Sequence, residues 1–196
     1  MLIYMIRHGQ TDWNAEGRMQ GQKDIDLNAT GRGQAMRNGE MLAHVLGDTV
    51  GRFDFVASPL RRTRETMERM RSEMGLDPLA YRLDERLKEL SFGDWEGFTL
   101  AELAKAAPER VKERARRKWG FIPPGQDAES YEILSWRIGA WLNSVEQPTV
   151  CVSHGGVIRS CFRLIGGMDE DEACEINIPQ DRILKIDRDA GVIGWM

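Results

Sequence analysis

Two of the three histidines in this chain stand at the ends of short apolar runs, each with glycine directly behind it. Arg7-His8-Gly9 follows Leu2 to Ile6, and His154-Gly155-Gly156 follows Thr149 to Ser153. A histidine so placed can serve as base, nucleophile or metal ligand, although a lone histidine after a strand is more often a structural residue with its hydrogen bonds satisfied. The neighbouring arginines tilt the reading. Arg7 abuts His8, and Arg61, Arg62 and Arg64 crowd the start of the segment after Phe53 to Ala57. A guanidinium stays charged at any working pH and offers a planar fork of donors matching two phosphate oxygens, so imidazole beside several such groups suits phosphoryl transfer. There is no H-E-x-x-H, no close pair of histidines and no carboxylate loop of EF-hand type, so the expectation is a site without metal or cofactor. His44 sits inside a helix-like stretch without ligand-forming neighbours and reads as structural.

These groups meet only if the elements beneath them converge. Leu2 to Ile6, Phe53 to Ala57 and Thr149 to Ser153 read as strands separated by helix-type segments, the alternation of a parallel α/β sheet. In such sheets ligands bind beyond the carboxyl ends of the strands, where His8 and His154 fall. Gly155-Gly156 ahead of a helix would also let backbone N–H groups approach an anion. Thr30 is the expected cap of a helix to Leu46 with Gly47 as its stop, and Pro59 the first turn of a helix reaching Met74. Thr99 and Glu102 make a capping box for a helix that breaks near Pro108 and resumes over Glu109 to Trp119, a pair that could form a lid-like insertion around 99–128. Gly120 to Gln126 reads as loop and Glu129 to Val145 as a helix with Trp136 and Trp141 available to pack. A further helix is expected from near Gly155, and the tail from Ala173 to Trp195 reads as two or three short strands with turns at Pro179 and Asp189 to Gly191. No linker divides the chain, so residues 1–196 are expected to form one domain.

A length of 196 residues supports a core that needs no disulfide or structural metal, and 41% hydrophobic with 30% charged residues is an ordinary globular balance. A formal net charge of -4 offers no basic excess for nucleic acid or an anionic membrane, so any anion site must be local and neither partner is expected. No apolar run approaches the roughly 20 residues of a spanning helix, and the short apolar start before Arg7 is no export signal. Three cysteines without a C-x-x-C pair fit a reducing compartment. The expectation is a cytoplasmic protein acting on a small phosphorylated metabolite, with edge strands and surface tryptophans that would permit a homodimer.

Four blocks recur in order along the chain: Arg7-His8-Gly9-Gln10-Thr11-Asp12-Trp13-Asn14; Ser58-Pro59-Leu60-Arg61-Arg62-Thr63-Arg64-Glu65-Thr66; Leu87-Lys88-Glu89 through Phe92-Gly93-Asp94-Trp95-Glu96-Gly97; and Val152-Ser153-His154-Gly155-Gly156. Together they resemble the histidine phosphatase superfamily, also called the phosphoglycerate mutase-like family. One block alone is weak, but four in order across nearly the whole chain are specific. The resemblance implies a three-layer α/β/α fold with a mostly parallel central sheet. It implies that His8 attacks phosphorus and becomes phosphohistidine, with Arg7 and Arg62 as pocket arginines, His154 as a donor to the phosphoryl group and the Gly155 amide as a further donor. Glu89 matches the acid that protonates the departing alkoxide and then deprotonates water for attack on the phosphohistidine. Asn14 fits a position that binds phosphate or orients the nucleophile loop. Arg18-Met19-Gln20-Gly21 is similar to the R-x-Q-G block of phosphatase members, where mutases carry a small hydroxyl residue at the position of Gln20. Gln20 and Gly21 therefore join the substrate-binding set, and hydrolysis is favoured.

A mutase-type phosphotransferase is the alternative, distinguished by an isomeric ester in place of inorganic phosphate, and a catalytically silent phosphate-binding domain is the alternative of another class. Outside the site, Arg61 and Arg64 read as an exposed helix face pairing with Glu65 or Glu68, and Asp84, Glu85, Asp94 and Glu96 as solvated loop carboxylates. Trp13 reads as a packing residue. Arg110 to Lys118 carries six basic residues and one acidic residue, which reads as an exposed basic helix, or alternatively as a lid that attracts phosphorylated substrate. Glu129-Ser130 is similar to the family's G-E-S block but lacks the glycine directly before Glu129, which leaves its role open.

Overall fold

The computed structural model describes residues 1–196. In chain order it forms β1 (Leu2–Arg7), α1 (Asp12–Ala15), α2 (Ala29–Leu46), β2 (Asp54–Ala57), α3 (Arg61–Glu73), β3 (Arg82–Leu83) and α4 (Leu100–Ala106). There follow α5 (Pro108–Arg116), α6 (Tyr131–Asn143), β4 (Thr149–Ser153), α7 (Gly155–Leu164), α8 (Glu170–Glu175), β5 (Ile183–Asp187) and β6 (Val192–Trp195). The six strands make one sheet in the order β3-β2-β4-β1-β5-β6. The first three pairings across it are parallel and the last two antiparallel.

Because strand side chains alternate between faces, one sheet builds two cores. Ile3, Met5, Val56, Cys151, Leu184 and Ile186 pack against Leu134, Ile138 and Trp141 of α6 and Val157, Ile158 and Cys161 of α7. Their neighbours Tyr4, Ile6, Phe55, Ala57, Val150 and Val152 pack against Leu42 and Leu46 of α2 and Met67 and Met70 of α3. The result is a three-layer α/β/α sandwich on a mostly parallel sheet. β1 and β4 are neighbours, yet the chain leaves β1 for α2 on one face and leaves β4 for α7 on the other. That divergence opens a crevice at their carboxyl ends, the place where open α/β sheets bind ligands. No helix is long and apolar enough to cross a membrane.

Several local expectations are corrected. The cap of α2 is Asn28, not Thr30: Asn28 has extended backbone and accepts the Gly31 N–H at 2.9 Å, whereas Thr30 already lies in the first turn. Pro59 lies outside α3, in the bend that turns the chain out of β2, and α3 starts after Leu60. The backbone of Arg61 is held instead by Asp24, which accepts its N–H at 2.8 Å. The α5 helix stops at Arg116, and Trp119 beyond it stacks on Tyr131 with centroids 5.7 Å apart. Trp141 is fully buried but Trp136 is 65% exposed. Five residues apart on one helix, the two point about 140° away from each other, so one face of α6 cannot bury both. The tail begins with α8 rather than a strand, since Asp169 caps it and Glu170, Asp171 and Glu172 suit the positive end of a helix.

Candidate active site

β1 and β4 deliver their histidines side by side. The rings of His8 and His154 meet edge to face, with centroids 5.2 Å apart and planes at 62°. His8 Nδ1 lies 2.8 Å from the Gly9 carbonyl oxygen, which can only accept. Nδ1 therefore carries the proton and Nε2 the lone pair. Arg62 Nε donates to that Nε2 at 3.3 Å. The loop bearing His8 is pressed onto the start of α2, where a side chain on Gly9 would collide with the backbone of Gly31. The Gly9 N–H is taken by Thr66 Oγ1 at 3.1 Å.

Burial pushes His8 well below the usual imidazole range, with the charges of Arg62 and Arg7 adding to the shift. His154 is lowered in the same way, first by burial and then by Arg62. Burial also brings Arg7 and Arg62 down to about 10, with Glu89 opposing the shift, so both remain cationic at neutral pH. This has a measurable consequence for stability. Unfolded imidazoles titrate near 6.5 while the folded ones stay neutral to much lower pH, so below that value unfolding takes up protons. Stability is expected to be fully present above about pH 6.5 and to fall as pH drops, by up to about 2.7 kcal/mol per pH unit for the two histidines together, until the folded imidazoles also protonate. Urea denaturation at pH 7 and pH 5, above the carboxylate range, checks this; an unchanged free energy would contradict neutral burial.

Arg62 is wholly buried. Its Nη1 donates to the Lys23 carbonyl at 2.7 Å and its Nη2 to the Gly21 carbonyl at 2.6 Å. With Nε on His8, three of its five N–H donors are engaged and two are left over. Arg7 Nη1 donates to the Ile178 carbonyl at 2.7 Å, while its buried Nε has no partner in the protein. Gln20 Oε1 accepts from Thr11 Oγ1 at 3.0 Å and from Asn14 Nδ2 at 3.2 Å, which fixes the amide and leaves Nε2 buried without a partner. His154 Nε2 lies 2.8 Å from Ser58 Oγ, and its Nδ1 is likewise unpartnered. Buried polar groups are rarely left so. Of the four such side-chain atoms in the chain, three belong to these neighbours of His8 and only Trp141 Nε1 lies elsewhere, in the core.

Glu89 stands opposite. Its carboxylate accepts the Leu90 N–H at 2.9 Å and, at the first turn of α7, the Gly156 N–H at 3.1 Å. A side chain on Gly156 would overlap the carboxylate. The second glycine of the Gly-Gly pair thus makes room for Glu89. Asn14 Oδ1 accepts from the Thr11 N–H and from Gln180 Nε2, so this residue is committed to holding the loop and Gln20.

Motif reading missed the residues that hold these groups from behind. Gln180 Nε2 donates to the His8 carbonyl at 3.0 Å. Arg137 donates to the carbonyls of Arg86, Lys88 and Glu89 at 2.6, 2.6 and 3.1 Å and pairs with Glu129 at 2.9 Å. Glu129 in turn accepts the Ser91 N–H at 3.1 Å. The Glu129 left open by its motif is therefore the counter-charge of the arginine that laces the Glu89 loop. No sequence spacing signals the pair, since Glu129 lies before the α6 N-cap Ser130 and only the bend of the chain there brings it back to Arg137. Arg137→Ala leaves three carbonyls and a carboxylate without their donor, and is expected to cost about 2–3 kcal/mol, measured as a lower denaturation midpoint.

Two other sequence readings need correction. Glu96 is not a solvated loop carboxylate: it accepts the Gln22 and Phe92 N–H groups at 2.9 and 3.2 Å, tying the Gly21 loop to the Glu89 loop. Asp84 is held by Arg86 at 2.7 Å. Arg61 pairs with Asp26 at 3.1 Å rather than with Glu65, which is taken by Arg69 at 2.9 Å. Trp13 packs over Gly97 as expected of a packing residue.

The groups open onto a cleft of about 340 Å³ lined by Arg7, His8, Asn14, Gln20, Gly21, Arg62, Glu89 and Gly155. Of the residues expected from sequence only His154 is not on its wall; it is fully buried beside His8. The basic stretch is divided by the fold. Lys112, Arg116 and Arg117 are exposed, but Arg114 and Lys118 turn into the cleft, so the reading of a merely exposed helix fails for those two. No three His, Cys, Asp or Glu side chains converge as metal ligands do. The cleft is built for an anion.

The chain is similar to known proteins over nearly its whole length. The family model of the histidine phosphatase superfamily (branch 1) matches residues 3–194. A glucosyl-3-phosphoglycerate phosphatase of Mycolicibacterium vanbaalenii is 33% identical over 180 residues, 86% of this chain and 76% of the relative. The phosphoglycerate mutase-like protein 4 of Arabidopsis thaliana is 33% identical over 171 residues, 82% of this chain and 69% of the relative. A crystal structure of phosphoglycerate mutase from Thermus thermophilus superposes with a TM-score of 0.71 at 32% identity, covering 95% of this chain and 93% of the other.

Proposed function

Because the chain belongs to the histidine phosphatase superfamily (branch 1), we propose that its hydrolysis of phosphate monoesters runs through a phosphohistidine on His8. The observation that carries this is the His8 ring itself: neutral, with its Nδ1 proton given to Gly9 and its Nε2 lone pair facing the Arg62 guanidinium. In this state the Arg62 Nε–H occupies the lone pair. A phosphoryl oxygen arriving over His8 takes that donor over, together with Arg7 Nε and Gln20 Nε2, and frees Nε2 to attack phosphorus. His154 completes the cradle from behind, with Nε2 held by Ser58 and Nδ1 left to donate. The Gly155 amide adds a donor at the start of α7.

As the His8–phosphorus bond forms, the bond from phosphorus to the ester oxygen breaks, and Glu89 gives its proton to the departing alkoxide. The resulting Glu89 carboxylate then takes a proton from water, whose oxygen attacks phosphorus. The bond to His8 breaks, inorganic phosphate leaves, and Glu89 is again protonated. The α4–α5 pair and the loop that follows, residues 99–128, serve as the lid over this cleft. A small phosphorylated metabolite suits a cleft of about 340 Å³, and three unpaired, buried thiols suit a reducing cytoplasm.

The test is turnover of 4-nitrophenyl phosphate without added metal, with rapid acid and alkaline quenches. The expected outcome is release of inorganic phosphate through a phosphoenzyme that survives base and is lost in acid. A phosphoenzyme stable to acid, or an isomeric ester as the product from a phosphorylated hydroxy acid, would contradict the proposal.

A further inference from the structure

The peptide that joins His8 to Gly9 lies directly behind the imidazole, and each of its polar groups is tied to a distant part of the chain. Its N–H goes to Thr66 Oγ1 of α3 at 3.1 Å, and its carbonyl oxygen, that of His8, accepts from Gln180 Nε2 at 3.0 Å. On the α2 side the Gly31 backbone leaves no room for a side chain on Gly9. The next carbonyl, that of Gly9, is the one that holds the ring by its Nδ1 proton. A rotation of the His8–Gly9 peptide would therefore swing the group that aims the imidazole. Thr66 and Gln180 oppose that rotation from its two ends.

The Gln180 amide has a fixed sense. A carbonyl oxygen only accepts, so the amide must turn its nitrogen to His8, and the second hydrogen of that nitrogen goes to Asn14 Oδ1 at 3.1 Å. Both hydrogens are spent on the loop that bears His8. Gln180 is half-buried and is not part of the cleft wall. The segment that carries it is anchored on either side. Arg7 Nη1 reaches the Ile178 carbonyl at 2.7 Å, the buried Asn38 of α2 donates to the carbonyl of Gln180 itself at 3.0 Å, and Ile183 is paired with Ile6 of β1. A side chain off the cleft wall, delivered by a pinned backbone to the peptide behind the imidazole, acts on the reaction through that imidazole.

We propose that Gln180 is a positioning residue for the attack on phosphorus. It holds the His8–Gly9 peptide in the orientation that aims His8 Nε2 into the cleft, and it takes no part in binding the phosphoryl group. This role rests on the reading of His8 as the nucleophile. Binding is left to Arg7, Arg62 and Gln20. Gln20 keeps its orientation without Gln180, because the Thr11 N–H still fixes Asn14 and Thr11 Oγ1 still donates to Gln20.

Gln180→Met keeps the length of the side chain and removes both donors. In rapid-quench single turnovers at saturating 4-nitrophenyl phosphate, its phosphoenzyme is expected to form about 10–100-fold more slowly than that of the unsubstituted chain, the range of a small misplacement of a reacting group. Its calorimetric affinity for inorganic phosphate is expected to stay the same. kcat/KM should fall by the same factor for an alkyl ester as for the aryl ester, since both need the attack, and this separates Gln180 from Glu89. Gln180→Glu is the second variant: ionised, it sets oxygens against two acceptors, the His8 carbonyl and Asn14 Oδ1, and is expected to slow phosphoenzyme formation at least as much. A residue that only supports the fold would lower the denaturation midpoint and leave the folded enzyme's rate of attack unchanged. Unchanged attack in either folded variant, or a loss of phosphate affinity in Gln180→Met as large as its loss of rate, overturns the proposal. If the unsubstituted chain hydrolyses the ester without an acid-labile phosphoenzyme, the reading of His8 fails and the proposal with it; a phosphoenzyme that forms equally fast with and without Gln180 removes the positioning role alone.

Discussion

His8→Ala is expected to lower kcat/KM for 4-nitrophenyl phosphate by at least about 10⁴-fold and to abolish the phosphoenzyme, because the variant lacks the neutral imidazole nitrogen that attacks phosphorus. By the free-energy scale of rate constants this is a loss of about 5.5 kcal/mol of transition-state stabilisation. The variant keeps Arg7, Arg62 and Gln20, so inorganic phosphate should still bind and protect against thermal unfolding. That control separates loss of the nucleophile from loss of the fold. Full activity in a folded variant would remove His8 from the mechanism.

Glu89→Gln is expected to divide substrates by leaving group. An alkoxide cannot depart without a proton, whereas 4-nitrophenolate can, so kcat/KM for an alkyl ester should fall about 10²–10⁴-fold while that for 4-nitrophenyl phosphate falls far less. The parameter matters: kcat/KM extends only to the first irreversible step, formation of the phosphoenzyme. Steady-state kcat for the aryl ester should drop as well, since Glu89 also activates the water, and the variant should show a burst of 4-nitrophenolate followed by slow turnover. The amide keeps an oxygen for the Leu90 and Gly156 N–H groups, so the loop should stay in place. Equal loss of kcat/KM for both esters would demote Glu89 from its role as acid.

Much of the framework was legible along the chain. Three strands fell where apolar runs of strand length end in histidine or serine, because burial on both faces of a central strand leaves a continuous apolar run. The Thr99–Glu102 capping box formed as read, being a contact within four residues. Asn28 rather than Thr30 caps α2 although both residue types can cap, because only the backbone angle decides between them. Arg62 was separable from Arg61 and Arg64 by its motif position. The physical difference is burial: Arg62 lies under the Gly21 loop, which a helix phase alone does not reveal. Arg114 lies on α5 and Lys118 beyond its end, so no helical phase along the chain pairs them; only the fold turns both toward the cleft.

Local sequence by itself determined the strands that carry the two histidines, the strand before Ser58 and the capping box at Thr99, because these depend on residue type and short-range periodicity. Only the tertiary structure decided that Arg137 and Glu129 steady the Glu89 loop and that Gln180 holds the His8 carbonyl across 172 residues of chain. Those contacts join segments with no sequence relation to each other, and their partners are backbone carbonyls, which leave no motif; packing alone brings them together.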